Sequence, residues 1–226
     1  MKKLVILSGA GISAESGLKT FRDDDGLWNG HRIEDVATPE AWERDPAAVL
    51  QFYNERRSGL LQAEPNEAHR GLVNLEKNYE VHIVTQNVDD LHERAGSKRV
   101  LHLHGELLKM RSCLNPQLVY ETREDIALGQ LADDGAQLRP DIVWFGEPVP
   151  RIEEAADIVS EADLFVIIGT SLQVYPAAGL IHLLKSHEVP VFVIDRDIPA
   201  AVQQKRFTAI AKNAVAGVAE LLSILG

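Results

Sequence analysis

The sequence predicts an α/β fold, a Rossmann-like doubly wound parallel sheet with a small inserted lobe. Three observations carry this. Residues 4–7, 164–168 and 191–194 are near-continuous apolar runs, the pattern of strands buried on both faces. Helical patterns alternate with them, as parallel sheets require. Two of the runs end in small-residue turns, Gly9-Ala10-Gly11 and Gly169-Thr170-Ser171, where open α/β sheets take their ligands.

The elements follow in order. Residues 4–7 form a first strand and 11–18 open a helix. Residues 20–38 are polar and irregular and read as a loop. Residues 46–61 and 66–78 are helical, with Val49, Leu50, Tyr53, Leu60 and Leu61 apolar in the first. A strand over 81–85, a short helix over 88–95 stopped by Gly96, and a strand over 100–103 come next. Residues 109–140 are polar, hold Pro116, Gly129 and Gly135, and show little sustained periodicity. Strands resume at 142–145, 164–168 and 191–194, with helices over 151–162, 177–187 and 215–225. The last helix reads as core rather than as a dimer face. The chain is thus one domain, 1–226. Its core spans about 1–38, 80–108 and 140–226, with inserts at about 39–79 (helical) and 109–139.

Composition narrows the function. With 45% hydrophobic and 25% charged residues the chain is an ordinary globular mix, which excludes intrinsic disorder. No apolar run approaches the ~20 residues that span a bilayer, so no membrane helix is expected. The N-terminal run is shorter than the ~7–15 residues of a signal-peptide core and enters a glycine turn, which points to a cytoplasmic chain. A net charge of −11 disfavours nucleic-acid partners and suits cationic segments. The single cysteine, Cys113, excludes an intrachain disulfide and any zinc site that needs two thiolates.

The motifs sit at predicted strand ends. Gly9-Ala10-Gly11-Ile12-Ser13-Ala14 fits G-x-G-x-x-G/A between a strand and a helix, the dinucleotide fingerprint; a tight turn without a ligand is the other reading. The acidic residue of dehydrogenases, ~20 residues on at the end of a second strand, is missing. That disfavours a hydride-transfer enzyme. Asp195 does end a late strand, where it either meets a ribose or caps a helix. Thr85-Gln86-Asn87-Val88-Asp89-Asp90 follows a strand with more polar side chains than helix capping uses. His102 and His104 share a strand face. With no third ligand nearby, His104 suits a general base better than a metal ligand, a buried structural histidine being the alternative. Tyr53 and Arg56, three apart on a helix, share a face and together can grip a carboxylate.

Taken together, Gly9 to Gly17, Thr20-Phe21-Arg22, Thr85-Gln86-Asn87-Val88-Asp89, His104-Gly105, Phe145-Gly146-Glu147 and Gly169-Thr170-Ser171 resemble the sirtuins, NAD-dependent protein-lysine deacylases. The series runs in order through nearly the whole chain. The resemblance implies that Gly9, Ala10, Gly11, Glu15 and a loop carrying Thr20, Phe21, Arg22 and Trp28 wrap NAD. It implies that Gln86, Asn87 and Asp89 hold the nicotinamide ribose and carboxamide, Asn87 taking part in catalysis. His104 is then the catalytic base, and Gly169, Thr170, Ser171, Asp195 and Ala214 surround the adenosine half. The family usually has asparagine where Asp195 stands. Val143, Phe145, Gly146, Glu147 and Val174 would sandwich the substrate backbone as an added strand.

The family consumes NAD as a cosubstrate, releasing nicotinamide and an O-acyl-ADP-ribose. Tyr53 and Arg56 match the acyl pocket of desuccinylase-type (class III) members, implying desuccinylase, demalonylase and deacetylase activity on acyl-lysine proteins. Most sirtuins hold four zinc-binding cysteines after the catalytic histidine; here that segment has Cys113 alone, so no zinc is expected. A protein ADP-ribosyltransferase and a non-catalytic NAD-sensing module are the alternative functions.

Overall fold

The structure, a computed structural model, describes residues 1–19, 30–199 and 207–226. Among them lie nine strands: β1 (Lys2–Ser8), β2 (Tyr79–Thr85), β3 (Val100–His102), β4 (Gly105–Ser112), β5 (Val119–Glu121), β6 (Leu138–Ile142), β7 (Leu164–Ile168), β8 (Val191–Ile194) and β9 (Phe207–Ile210). Six form a parallel sheet in the order β3-β2-β1-β7-β8-β9. The other three form an antiparallel sheet, β5-β4-β6. The expected α/β class with a small lobe therefore holds.

The helices are α1 (Ile33–Val36), α2 (Pro39–Arg44), α3 (Pro46–Gln62), α4 (Glu67–Leu75), α5 (Leu91–Ala95), α6 (Ile152–Ser160) and α7 (Ala214–Leu225). Local chemistry sets their starts. Thr38 and Asp45 cap α2 and α3 by accepting from Ala41 and Ala48, each just before a proline in the first turn. Asn66 caps α4 in a reciprocal box with His69.

The parallel strands bury both faces, as their apolar runs require. Leu4 and Ile6 of β1 pack with Ala68 and Leu72 of α4 and Val218 and Leu221 of α7. Val5 and Leu7 face the other way, onto Ala155 and Val159 of α6. The C-terminal helix is thus core. Helix α4 belongs to the sheet's own packing, whereas α1–α3 share a cluster with Leu107, Ile142 and Trp144. Further out, Leu50, Ile126, Ala132 and Leu138 form a separate cluster, with Trp42, Met110 and Tyr120 packed on it.

The expectations fail where strands are polar or turns tight. Residues 11–18 make two 3-10 turns, Ala10–Ile12 and Ala14–Ser16, ended by Gly17 at φ +87°, and not a helix. The strand expected at 142–145 lies earlier, as β6, and pairs antiparallel with β4 rather than joining the parallel sheet. The apolar residues that suggested it, Ile142 and Trp144, are buried in the small lobe's cluster. The segment 109–140 contains β5, half of β4 and most of β6. Residues 177–187 shorten to a 3-10 helix, Ala177–Leu183, and α5 starts only at Leu91.

Candidate active site

In the parallel sheet β1 lies between β2 and β7, so the chain's crossovers diverge at the β1/β7 boundary. Backbones beyond the strand C-termini part there and leave a crevice. The turns after β1 and β7 are pressed together at this point. A Cβ on Gly11 would stand 2.6 Å from Gly169 Cα, and one on Gly9 2.8 Å from Gly169 O. Gly169 itself sits at φ +63°. These glycines are fixed first by the contact of one turn with the other, and Gly11 N donates to Gly169 O across it at 2.9 Å.

A cavity of about 610 Å³ opens from this point. Gly9, Ala10, Gly11 and Glu15 line it from the β1 side, and Gly169, Thr170 and Ser171 from the β7 side. Asp195 and Ala214 line it as well, with Gln86, Asn87, Asp89, His104, Tyr53 and Arg56. Val143, Phe145, Gly146, Glu147 and Val174 line it too, so every described residue to which the resemblance gives a binding or catalytic role lines one cavity. Thr20, Phe21, Arg22 and Trp28 lie outside the described residues.

Each polar group is held by named partners. Glu15 Oε2 accepts from Val215 N in the first turn of α7, at 2.9 Å. Gln86 Nε2 donates to Thr170 Oγ1 at 2.9 Å, which ties the β2 and β7 loops. Asn87 Nδ2 donates to Ser13 Oγ at 3.2 Å, and Ser13 Oγ donates to Asp89 Oδ2 at 3.0 Å. The other oxygen of Asp89 accepts from Leu91 N at 3.2 Å. Burial raises the Asp89 pKa, opposed by these two hydrogen bonds. Asp89 thus both starts α5 and anchors Ser13, a residue the sequence reading passed over inside the glycine motif.

His104 Nδ1 lies 3.1 Å from the carbonyl of Gln86. A carbonyl only accepts, so Nδ1 carries the proton and Nε2 is left as a base. Burial lowers the His104 pKa, with the Gln86 bond opposing, which keeps the ring neutral at pH 7. Val143 N donates to the His104 carbonyl, so the small sheet holds this residue from behind.

Tyr53 is fully buried on α3, and its hydroxyl accepts from Trp144 Nε1 at 3.0 Å. Burial raises the phenol's pKa, so it stays a proton donor. The Arg56 guanidinium sits 5.7 Å over Phe52, and burial lowers its pKa to about 10, with Tyr53 and Asp89 opposing; it remains a cation at neutral pH. Glu147 is committed structurally. It accepts from Arg139 at 2.7 and 3.1 Å and from Trp144 N at 2.8 Å. Arg139 in turn lies 3.2 Å over the Trp144 ring, and neither residue was foreseen.

Comparisons with known proteins agree with this architecture. The sequence model of the Sir2 family matches residues 9–176. A Helicobacter pylori (strain J99) protein named NAD-dependent protein deacylase is 56% identical over 222 residues, covering 98% of this chain and 94% of that one. A Bacteroides thetaiotaomicron protein of the same name is 51% identical, covering 100% and 98%. The crystal structure of a Sir2 homologue–NAD complex superposes with a TM-score of 0.88 at 38% identity, covering 99% of this chain and 89% of that one. With a family match over most of its length and relatives above half identity across it, the chain belongs to the Sir2 family.

Proposed function

We propose that this chain, an NAD-dependent protein deacylase, acts on lysines carrying acidic acyl groups, succinyl or malonyl, in preference to acetyl. The observation that carries the preference is the placing of Arg56 and the Tyr53 hydroxyl on one face of α3, lining the same cavity as His104 and Asn87. A guanidinium and a phenol together donate three hydrogen bonds to a carboxylate, and a buried cation left facing a neutral acetyl methyl gains nothing.

The chain's residues suit NAD at the remaining positions. The turns of Gly9, Gly11 and Gly169 put no side chain between the backbone and the cavity they line, and about 610 Å³ gives room for more than a lone phosphate. NAD supplies a glycosidic bond whose cleavage frees nicotinamide. Around it, Gln86, Asn87 and Asp89 would hold the ribose and carboxamide, and His104 Nε2 would take a hydroxyl proton. Asp195 would meet the adenosine ribose as an acceptor for both hydroxyls. Phe145, Gly146 and Val174 would flank an extended acyl-lysine peptide.

The reading includes a lobe without zinc. Among the described residues no group of three or more His, Cys, Asp and Glu side chains is arranged to hold a metal ion, and the lobe has its own apolar packing around Leu50, Ile126 and Leu138. Elemental analysis should find far less than one zinc per chain, and stoichiometric zinc would refute this.

The test of acyl preference is kcat/KM on succinyl, malonyl and acetyl versions of one peptide. A charged hydrogen bond is worth about 1.5–3 kcal/mol. Arg56→Met should therefore cut desuccinylation at least about tenfold and spare or raise deacetylation. If acetyl is the best substrate and all three fall alike, Arg56 is structural and the preference is refuted. ADP-ribose added to protein, seen by mass spectrometry without acyl loss, would favour a transferase instead.

A further inference from the structure

Three buried histidines surround the loop after β2, and each leads to a different atom of Asn87. His102 Nδ1 lies 2.9 Å from the Asn87 carbonyl oxygen. His92 Nε2 lies 3.0 Å from Ser8 Oγ, Ser8 Oγ donates to Thr85 Oγ1 at 2.8 Å, and Thr85 Oγ1 accepts from Asn87 N at 3.0 Å. His69 Nε2 lies 3.5 Å from Ser13 Oγ, which accepts from Asn87 Nδ2.

The proton positions follow from the partners. With Ser8 donating to Thr85, the contact between Ser8 Oγ and His92 Nε2 is completed by an N–H on the ring. Ser13 spends its hydrogen on Asp89, so His69 Nε2 must donate to Ser13. The opposite side of His69 agrees, because its Nδ1 accepts from Asn66 N at 3.3 Å. His102 stands between two acceptors, the Asn87 carbonyl and Glu93 Oε1 at 2.8 Å, and meets both only as the imidazolium. Two neutral rings and one charged ring thus each present a donor in a fixed direction.

We propose that His69, His92 and His102 are positioning residues that together fix the N–H, carbonyl and side-chain amide of Asn87.

Mere packing explains them poorly. His92 is fully buried, and its Nδ1 has no hydrogen-bond partner among the described residues. A stranded ring nitrogen costs stability that an apolar side chain of similar size would avoid. The His69 and His92 rings meet edge to face, 5.0 Å apart, so the two neutral members also brace one another. The sheet register supplies the frame. Ser8 pairs with Thr85 and Thr85 with His102, a row of polar residues across the C-terminal ends of β1, β2 and β3 directly beneath Asn87.

The inference rests on the reading of Asn87 as a residue that holds the nicotinamide end of NAD. Asn87→Ala tests that reading by itself: full activity there removes the reading and this inference with it. Given an impaired Asn87→Ala, the test uses paired variants of the whole chain. Gln places its amide nitrogen about where histidine Nε2 lies, and Asn about where Nδ1 lies. His69→Gln, His92→Gln and His102→Asn therefore keep the donor, and the three leucine variants remove it.

The measurements are kcat, the KM for NAD, and the thermal midpoint, with kcat expressed per folded enzyme. Each leucine variant should lose on the order of tenfold in kcat, a single hydrogen bond's worth, with the NAD KM within about threefold. Each Gln or Asn variant should recover most of the loss. Ser8→Ala deletes the middle of the His92 chain without touching a histidine, and it keeps the test alive if a leucine variant fails to fold. It should reproduce the kcat loss of His92→Leu. An unchanged kcat in Ser8→Ala, or losses that track the thermal midpoint alike in the leucine and amide variants, would overturn the proposal.

Discussion

Gly105→Ala should damage both the fold and the catalytic step, because this glycine joins the residue proposed as the base to the small sheet. Gly105 sits at φ +81°, and a Cβ there would stand 1.9 Å from the carbonyl oxygen of Asp141. The left-handed conformation alone costs a non-glycine residue about 1–2 kcal/mol. The overlap is with backbone, which cannot rotate away, and overpacking of this kind adds about 1–3 kcal/mol. A total near 3 kcal/mol corresponds to a fall of roughly 6–12 °C in Tm for a chain of this size. Relief requires β4 to part from β6 where Gly105 pairs with Ile142, and Val143 N bonds the His104 carbonyl at this same place. A displacement of His104 by about 1 Å would cost on the order of 100-fold in kcat. Gly129 is the control: its φ is +87°, but nothing lies within 4 Å of its added Cβ. Gly129→Ala should show the backbone cost alone and normal turnover. Thermal melts and steady-state kinetics of both variants decide the matter. A Gly105→Ala protein that melts like Gly129→Ala and turns over normally would refute the argument.

His104→Ala should abolish deacylation while NAD binding stays within a few-fold, since the ring acts on a proton rather than on ground-state affinity; calorimetry with NAD checks the second half. In the parent enzyme kcat/KM should fall as pH drops through the His104 pKa, which burial sets below 6.5. Stability should also depend on pH, with buried histidines acting in opposite directions: the pKa values of His69, His92 and His104 are lowered by burial and that of His102 is raised. Burial lowers the His69 pKa to about 4, with Arg70 adding to this and Glu93 opposing. Between 6.5 and that value the unfolded chain binds a proton that the folded one refuses, so about 3 kcal/mol is lost as pH falls. The His102 pKa is raised, its bonds to Glu93 and the Asn87 carbonyl and the charge of Glu106 outweighing burial. Its contribution is present below pH 6.5 and is lost as pH rises through the raised value. Denaturant melts between pH 5 and 8 should show a flatter acid limb in His69→Gln, and an unchanged limb would exclude His69 as its cause.

What could be read from the sequence was what is local. β7 and β8 were delimited to the residue because each is a short apolar run, buried on both faces, that stops at one small or polar residue. The glycine turns were legible for the same reason, though the sequence hid that Gly9 and Gly11 answer to Gly169 rather than to a ligand alone. The small sheet was not legible. β4 is only half-buried for most of its length, β5 has three residues, and neither shows the alternation that marks a strand with one wet face. β9 is an edge strand with two exposed residues in the middle, and it was missed as well. Antiparallel pairing across 20 or more residues of irregular chain leaves no local trace when the side chains on both faces are mixed.

The supports of Asn87 were hidden for a different reason. His69, His92 and His102 lie on α4, α5 and β3, and nothing in their spacing relates them. They converge because parallel register sets the ends of β1, β2 and β3 flush, and a shift of one residue in any pairing would turn Ser8, Thr85 or His102 to the opposite face. Each strand does leave a mark: a single polar residue ends an apolar run, as in Leu7-Ser8, Val84-Thr85 and Leu101-His102. Ser8 and Thr85 are fully buried and His102 nearly so, and burying a polar side chain is costly unless it is paired. The last residue of each strand is therefore where the apolar core gives way to a polar network. A reader of sequence alone could have treated those three positions as one row, before knowing which histidines would meet it.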